Sequence, residues 1–370
     1  MDSFPAATMV ATSCACKAFQ LTITLPASSI PHERALCLCG SCRRFSGSLG
    51  TSYLLLPKSQ KIDPTSYSLR AYPSSERTTR YFCSTCGAHT VSRLHTLGSW
   101  ALTSGLLERT EGIMKWMGCK WVEDTLDGGL SVWFNSIVDP DGTERPLKRW
   151  KLQDGKEGEL VPAEALRKFS PEKQAEAGEE RLKVECSCGG VKFYITRPNA
   201  ASKTARSPFP DLMVPYHSAS PANPENKTWW LRAGDTKYLA GTCTCASCRL
   251  ASGFEIQPWA FIPKSNIFRE DGQQMDYEMG TSKRYASSEG VSREFCGVCG
   301  ATVFWHCKER PELVDVSVGL LDPAGGARVE SWLEWWTERV SFEELAVSRS
   351  LVRSLEEGLK EYADKGRITE

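Results

Sequence analysis

The hydrophobic positions of this chain follow two rhythms, and one of them occurs twice. Phe19, Leu21 and Ile23 alternate with Gln20, Thr22 and Thr24, the period of two expected of a strand with one buried face. Val191, Phe193 and Ile195 alternate with Lys192, Tyr194 and Thr196 in the same way. Further along, Leu345, Val352, Leu355, Leu359 and Tyr362 recur at helical spacing. They predict an amphipathic helix behind a capping box of Ser341 and Glu344, with its stripe packed on the second half of the chain. No segment reaches the ~18–20 uninterrupted apolar residues of a membrane span. The opening Met1 to Val10 carries Asp2 and no basic residue, unlike a secretory signal.

Both alternating segments follow a C-x-C motif, and the cysteines repeat with them. Of 16 cysteines, all but Cys119 and Cys307 fall into two sets of seven, each reading C-x-C, C-x-C-x-x-C, C-x-x-C. The last motif is Arg80-Tyr-Phe-Cys-Ser-Thr-Cys-Gly-Ala in one set and Arg293-Glu-Phe-Cys-Gly-Val-Cys-Gly-Ala in the other. Gly105-Leu-Leu and Gly319-Leu-Leu follow at a similar remove. The chain is therefore read as a tandem duplication. The copies differ in loop length: 20 residues separate the first two motifs in one half and 54 in the other. The excess, residues 197–235, is rich in Pro, Ser, Asn and Ala and reads as a surface insertion.

These features divide the chain into a first domain at 1–139, a charged linker at 140–181, a second domain at 182–343, and a helix and tail at 344–370. From Asp141 to Arg181 there are ten acidic and nine basic residues, with a short helix expected near 163–169. Its Lys148-Arg149-Trp150-Lys151 run reads as a solvated charged stretch.

Composition narrows the function. With 45 basic and 45 acidic residues the formal charge is zero, which argues against a nucleic-acid binder working by bulk electrostatics. At 41% hydrophobic and 24% charged residues, the chain can bury a core. Cysteine-rich and without an export signal, it is expected in a reducing compartment, cytoplasmic or nuclear, where closely spaced thiols more often hold metal than form disulfides.

Seven thiols divide as four plus three, because a closed structural zinc takes four protein ligands and a catalytic one keeps a position open. The outer pairs supply the closed sites: Cys14, Cys16, Cys83 and Cys86 in one half, and Cys186, Cys188, Cys296 and Cys299 in the other. The middle motifs supply the trios Cys37, Cys39, Cys42 and Cys243, Cys245, Cys248, the candidate catalytic centres. Zinc on three thiolates carries net charge −1, a weak hydroxide generator and a better docking point for a soft ligand such as a substrate thiol. Arg43, Arg44 and Arg249 follow the trios and read either as partners of a substrate carboxylate or as plain surface residues. A trio can also be closed by a histidine, His89 being best placed, or stand empty and oxidise to a disulfide. Cys119 and Cys307 read as small buried hydrophobes. A zinc nucleobase deaminase is excluded: it needs H-x-E followed by P-C-x-x-C, and His32-Glu33-Arg34 and the two C-x-x-C motifs do not supply that pair.

Seven cysteines in this order, ending in F-C-x-x-C-G, resemble the CENP-V/GFA family, the glutathione-dependent formaldehyde-activating enzymes, over roughly residues 10–138 and 182–343. The resemblance implies a mainly β chain: two tandem tent-like zinc domains of small antiparallel sheets, here followed by a helix. It implies two Zn2+ per domain, one structural and one substrate-facing. It also implies carbon–sulfur lyase chemistry on a small-molecule thiol such as glutathione with formaldehyde. Where members of the family often carry His inside the middle motif, this chain has Leu38 and Thr244. The competing readings are a non-catalytic thiol carrier and a zinc-stapled interaction module.

Overall fold

The computed structural model describes residues 7–155, 158–162, 165, 180–322 and 325–368. The strand predicted after Cys16 is β2 (Gln20–Pro26), hairpin partner of β1 (Ala7–Ser13), with Phe19, Ile23 and Leu25 buried. β3 (His32–Cys37) leads into the short helix α1 (Gly40–Ser46). β4 (Tyr53–Leu55), β5 (Leu69–Ser75), β6 (Thr78–Cys83), β7 (His89–Leu94) and β8 (Ser99–Thr103) form an antiparallel sheet in the order β4-β8-β7-β6-β5. β9 (Met114–Lys120) runs parallel to β3, β10 (Ser136–Val138) pairs with β11 (Glu144–Pro146), and β12 (Lys148–Arg149) adds to β9.

The second half repeats this plan. β13 (Arg181–Glu185) and β14 (Lys192–Thr196) are the hairpin, with Val191, Phe193 and Ile195 buried. After the short β15 (Leu231–Arg232), β16 (Lys237–Cys243) leads into α2 (Ala246–Ser252). Then come β17 (Gln257–Pro263), β18 (Ile267–Arg269), β19 (Ser282–Ser288), β20 (Val291–Cys296), β21 (Thr302–Cys307), β22 (Leu313–Ser317) and β23 (Leu333–Trp335). Most of them make one sheet, β15-β16-β17-β22-β21-β20-β19, with β23 parallel to β16 as β9 is to β3.

Two expectations for the loops and linker change. The charged segment is not free chain over its first part: it forms β11 and β12 and buries Leu147, Trp150 and Val161, while Leu152 and Leu160 stay exposed. Sparse apolar positions suffice when a parallel neighbour, β9, supplies the backbone partners. The helix expected at 163–169 falls outside the described residues apart from position 165. The insertion is not confined to the surface, since it buries Leu212, Trp229 and Trp230.

The C-terminal helix α3 (Arg349–Ile368) starts later than predicted. Ser341 is taken up by the buried Asp211, Leu345 is exposed, and Val352, Leu355 and Leu359 form the buried stripe. That stripe packs mainly on the first half rather than the second, although the Tyr362 hydroxyl also donates to Glu330 and Glu356 accepts the Val340 N–H. Ser354 hydrogen-bonds the Ser136 carbonyl, and the rings of Tyr362 and Trp133 meet edge to face. Among the described residues no helix is long and apolar enough to cross a membrane.

The halves pack on each other through reciprocal contacts. Gly105 N–H donates to the Gly253 carbonyl, and Gly319 N–H to the Gly47 carbonyl. Ala15 N–H reaches Leu250 as Ser187 N–H reaches Arg44.

Candidate metal centres and their surroundings

In each half the outer cysteine pairs sit on turns that aim both sulfurs inward. Cys83 ends β6 and Cys86 lies in the turn before β7, closed by hydrogen bonds from Cys83 N to Ala88 O and from Gly87 N to Cys83 O. Gly87 and its counterpart Gly300 both have φ of +81°, a left-handed turn that glycine enters without strain. Cys14 and Cys186 each precede a hairpin strand by a tight turn, and each sulfur accepts a backbone N–H five residues on, from Phe19 and Val191.

The resulting groups are Cys14, Cys16, Cys83, Cys86 and Cys186, Cys188, Cys296, Cys299, with their sulfurs within 4.8 Å of one another. Sulfurs about 2.3 Å from a tetrahedral ion lie roughly 3.8 Å apart along each edge. Here Cys14–Cys16 is 3.6 Å, Cys16–Cys83 3.5 Å, Cys186–Cys188 3.6 Å and Cys188–Cys296 3.4 Å. That spacing suits a shared ion and is far from the ~2.05 Å of a disulfide bond.

The middle motif is built differently. Cys37 ends β3, Cys39 caps α1, and Cys42 lies in the first turn, its N–H donating to the Cys39 sulfur at 3.4 Å. Cys243, Cys245 and Cys248 repeat this at β16 and α2, with 3.2 Å from Cys248 N to the Cys245 sulfur. The C-x-C-x-x-C spacing is thus a strand end, a cap and one helical turn, which gather three sulfurs on one side. Both trios form groups that could hold an ion, and among the described residues no fourth histidine, thiol or carboxylate joins either. His89 is turned away, with its Nε2 2.8 Å from the Phe45 carbonyl. Burial and the nearby Arg80 hold that imidazole down at about 3. Cys119 and Cys307 are buried outside these groups.

The arginines that approach the trios are not the ones the sequence singles out. Arg43 bonds the carbonyls of Leu38 and Asp124, Arg44 pairs with Asp322 at 2.6 Å, and Arg249 caps the carbonyls of Gly105 and Leu107. Arg44 and Arg249 therefore tie the halves together. Arg80 and Arg293 hold the position beside the sulfurs, 3.7 Å from Cys42 and 3.4 Å from Cys248. Cys42 is held well below the ordinary thiol range by hydrogen bonding with Cys37 and Cys39, helped by Arg80 against the cost of burial. Cys248 is lowered likewise by Cys243 and Cys245, then by Arg293. The signal was present in the sequence, since an arginine stands three residues before C-x-x-C in both halves.

Aromatic walls complete the trios. Phe45, Tyr53, Tyr72 and Trp121 surround the first, together with Phe254 from the other half. Trp259, Trp305 and Phe342 surround the second. Trp121 and Phe342 hold equivalent places beside the strand that ends at the first cysteine of each trio, and both are left-handed, at φ +59° and +54°. Such strain in a bulky residue persists only where its surroundings hold it. At Phe342 they do. Asp211, from the insertion, accepts its N–H at 2.6 Å and the guanidinium of Arg339 at 3.0 Å.

A family model described as glutathione-dependent formaldehyde-activating enzyme matches residues 9–122 and 231–339. The chain belongs to this family. The second GFA match begins at residue 231, near the end of the insertion, and so omits Cys186 and Cys188, yet the fold returns both to Cys296 and Cys299. GFA membership carries a glutathione-related, formaldehyde-activating role at the level of the family. No curated protein and no solved structure matches the chain.

Proposed function

We propose that this GFA-family chain is a zinc-dependent carbon–sulfur lyase or synthase that joins a small-molecule thiol to a small aldehyde and reverses that step. Glutathione and formaldehyde are the pair named in the family description. The observation that supports it is the division of sulfurs in each half into a group of four and a separate group of three that no fourth ligand joins among the described residues.

The fit to zinc rests on the donors: all-thiolate sets at tetrahedral spacing suit a borderline-soft ion and no hard one. The fours would hold a structural ion. A zinc ion on a trio would supply an electrophilic position where a substrate thiol gives up its proton. The protein's own part is to hold the thiol and aldehyde together. Its aromatic walls exclude water, and the adjacent arginine offsets the negative charge of three thiolates.

The test is direct. Zinc-loaded protein is expected to bind four ions per chain and to convert glutathione and 13C-formaldehyde to S-hydroxymethylglutathione faster than the spontaneous reaction, as followed by NMR. Tight glutathione binding without turnover would instead identify a carrier. X-ray absorption showing each ion ligated by four protein groups would remove the open position.

A further inference from the structure

Arg80 and Arg293 occupy the same site in the two halves. Arg80 lies opposite Tyr72 and Ser92, and Arg293 opposite Tyr285 and Trp305. Their hydrogen bonding differs. Arg80 is satisfied on every nitrogen: Nε donates to Ser74 Oγ at 3.1 Å, Nη1 to the Tyr53 hydroxyl at 2.6 Å, and Nη2 to Cys42 at 3.7 Å. Its guanidinium also lies 3.7 Å over the Phe45 ring.

Arg293 places Nη2 on Ser247 Oγ at 2.9 Å and on Cys248 at 3.4 Å. Its Nε and Nη1 find no protein acceptor, although the residue is only 3% exposed. The sequence explains the difference. Trp259 replaces Tyr53 and brings no hydroxyl, Ala251 replaces Phe45 and brings no ring, and Ser287, in the place of Ser74, leaves its own buried hydroxyl unpaired. Buried guanidinium N–H groups are costly to leave without an acceptor. Since Nε and Nη1 share the central carbon with Nη2, both lie within a few ångströms of the Cys248 sulfur.

We propose that Arg293 is the oxyanion donor of the second trio, and that this trio, not the first, carries the reaction. The inference rests on the carbon–sulfur reading above. When a thiolate sulfur attacks the aldehyde carbon, the S–C bond forms and the π pair of C=O moves to oxygen. The alkoxide then takes up a proton equivalent to the one the thiol released, so thiol plus aldehyde gives the hemithioacetal with nothing else consumed. Preorganised N–H donors stabilise the charge that develops on that oxygen. At the first trio the Tyr53 hydroxyl and Ser74 already occupy the equivalent donors, so an incoming oxygen finds them taken.

The experiment compares zinc-loaded wild type with Arg293→Lys and Trp259→Tyr, the latter restoring the hydroxyl found in the first half. Both variants are expected to keep zinc content and, by calorimetry, glutathione affinity within about twofold. Their kcat should fall, on the order of 10²-fold for Arg293→Lys, the usual cost of one such donor. An unchanged kcat in both, or a loss confined to glutathione affinity, overturns the proposal. Independently of turnover, nitrate added to the wild type is expected to shift the NMR signal of the Arg293 Nε–H and leave that of Arg80 in place. If wild type makes no product, the carbon–sulfur reading fails; if nitrate leaves Arg293 unmoved, the donor assignment fails whatever the turnover.

Discussion

Phe82 and Phe295 meet edge to face between the two halves, their ring centroids 6.4 Å apart at 71°. Each directly precedes the first cysteine of a C-x-x-C, and each ring also covers the glycine of the opposite knuckle, Phe295 over Gly87 and Phe82 over Gly300. The two four-cysteine groups are thus braced through one aromatic contact. Phe295→Ala is expected to cost about 3–5 kcal/mol, as for a buried ring truncated in a core. Because the lost ring supports both knuckles, zinc should leave both fours faster under chelator challenge. Thermal melts with a colorimetric zinc assay check this; loss confined to the second half's four would mean the halves fold independently.

The two kinds of cluster should respond differently to loss of a ligand. Cys83→Ser removes one of four anchors joining β6 to the first hairpin, and structural zinc contributes on the order of 10 kcal/mol to a fold that depends on it. This variant is expected to lose cooperative unfolding of the first half. Cys39→Ser leaves its strand and helix in place and should lower zinc by one ion per chain with only a small change in melting temperature. Native mass spectrometry and calorimetry on the two variants check the contrast.

Much of this was legible in the sequence, for reasons that individual residues show. The period-two segments at Phe19 and Val191 became hairpin strands because alternation encodes which face is buried. The sulfurs grouped as their spacing implied, since a turn or a capped helix fixes where neighbouring thiols point. Relationships between distant residues were not legible. The stripe Val352, Leu355, Leu359 shows that α3 has a buried face, but nothing in it names Trp133 as the surface it meets. Arg80 and Arg293 repeat in the sequence, yet their role depends on β6 and β20 facing the trios. The left-handed backbone at Trp121 and Phe342 follows from tertiary restraint that no local pattern records.

Stability is expected to depend on pH through Glu356. This half-buried carboxyl of α3 is raised to about 7, chiefly by burial and then by its neighbour Glu343, with the Val340 N–H and Lys360 opposing. An acid whose folded pKa lies above its unfolded one binds more protons when folded, so stability is highest below the ordinary glutamate range and falls as pH rises through about 7. The melting temperature of wild type should therefore drop between pH 5 and 8 more steeply than that of Glu356→Gln, which cannot ionise. Parallel curves for the two proteins would show that Glu356 is not the group responsible.

Gly358 gives the sharpest test of how α3 docks. It lies within that helix against the backbone of Trp133, and a Cβ added there would land on the Trp133 carbonyl oxygen. Two effects oppose each other in Gly358→Ala. Helix propensity alone favours alanine by about 1 kcal/mol. Overpacking against fixed backbone costs about 1–3 kcal/mol, and here the helix must also lift away, loosening the Ser354–Ser136 bond and the Tyr362–Trp133 contact. The contact should win: Gly358→Ala is expected to lower the melting temperature and to speed amide exchange in α3. In an undocked helix the same substitution would be stabilising, so the sign of the change by itself reports whether α3 rests on the first half.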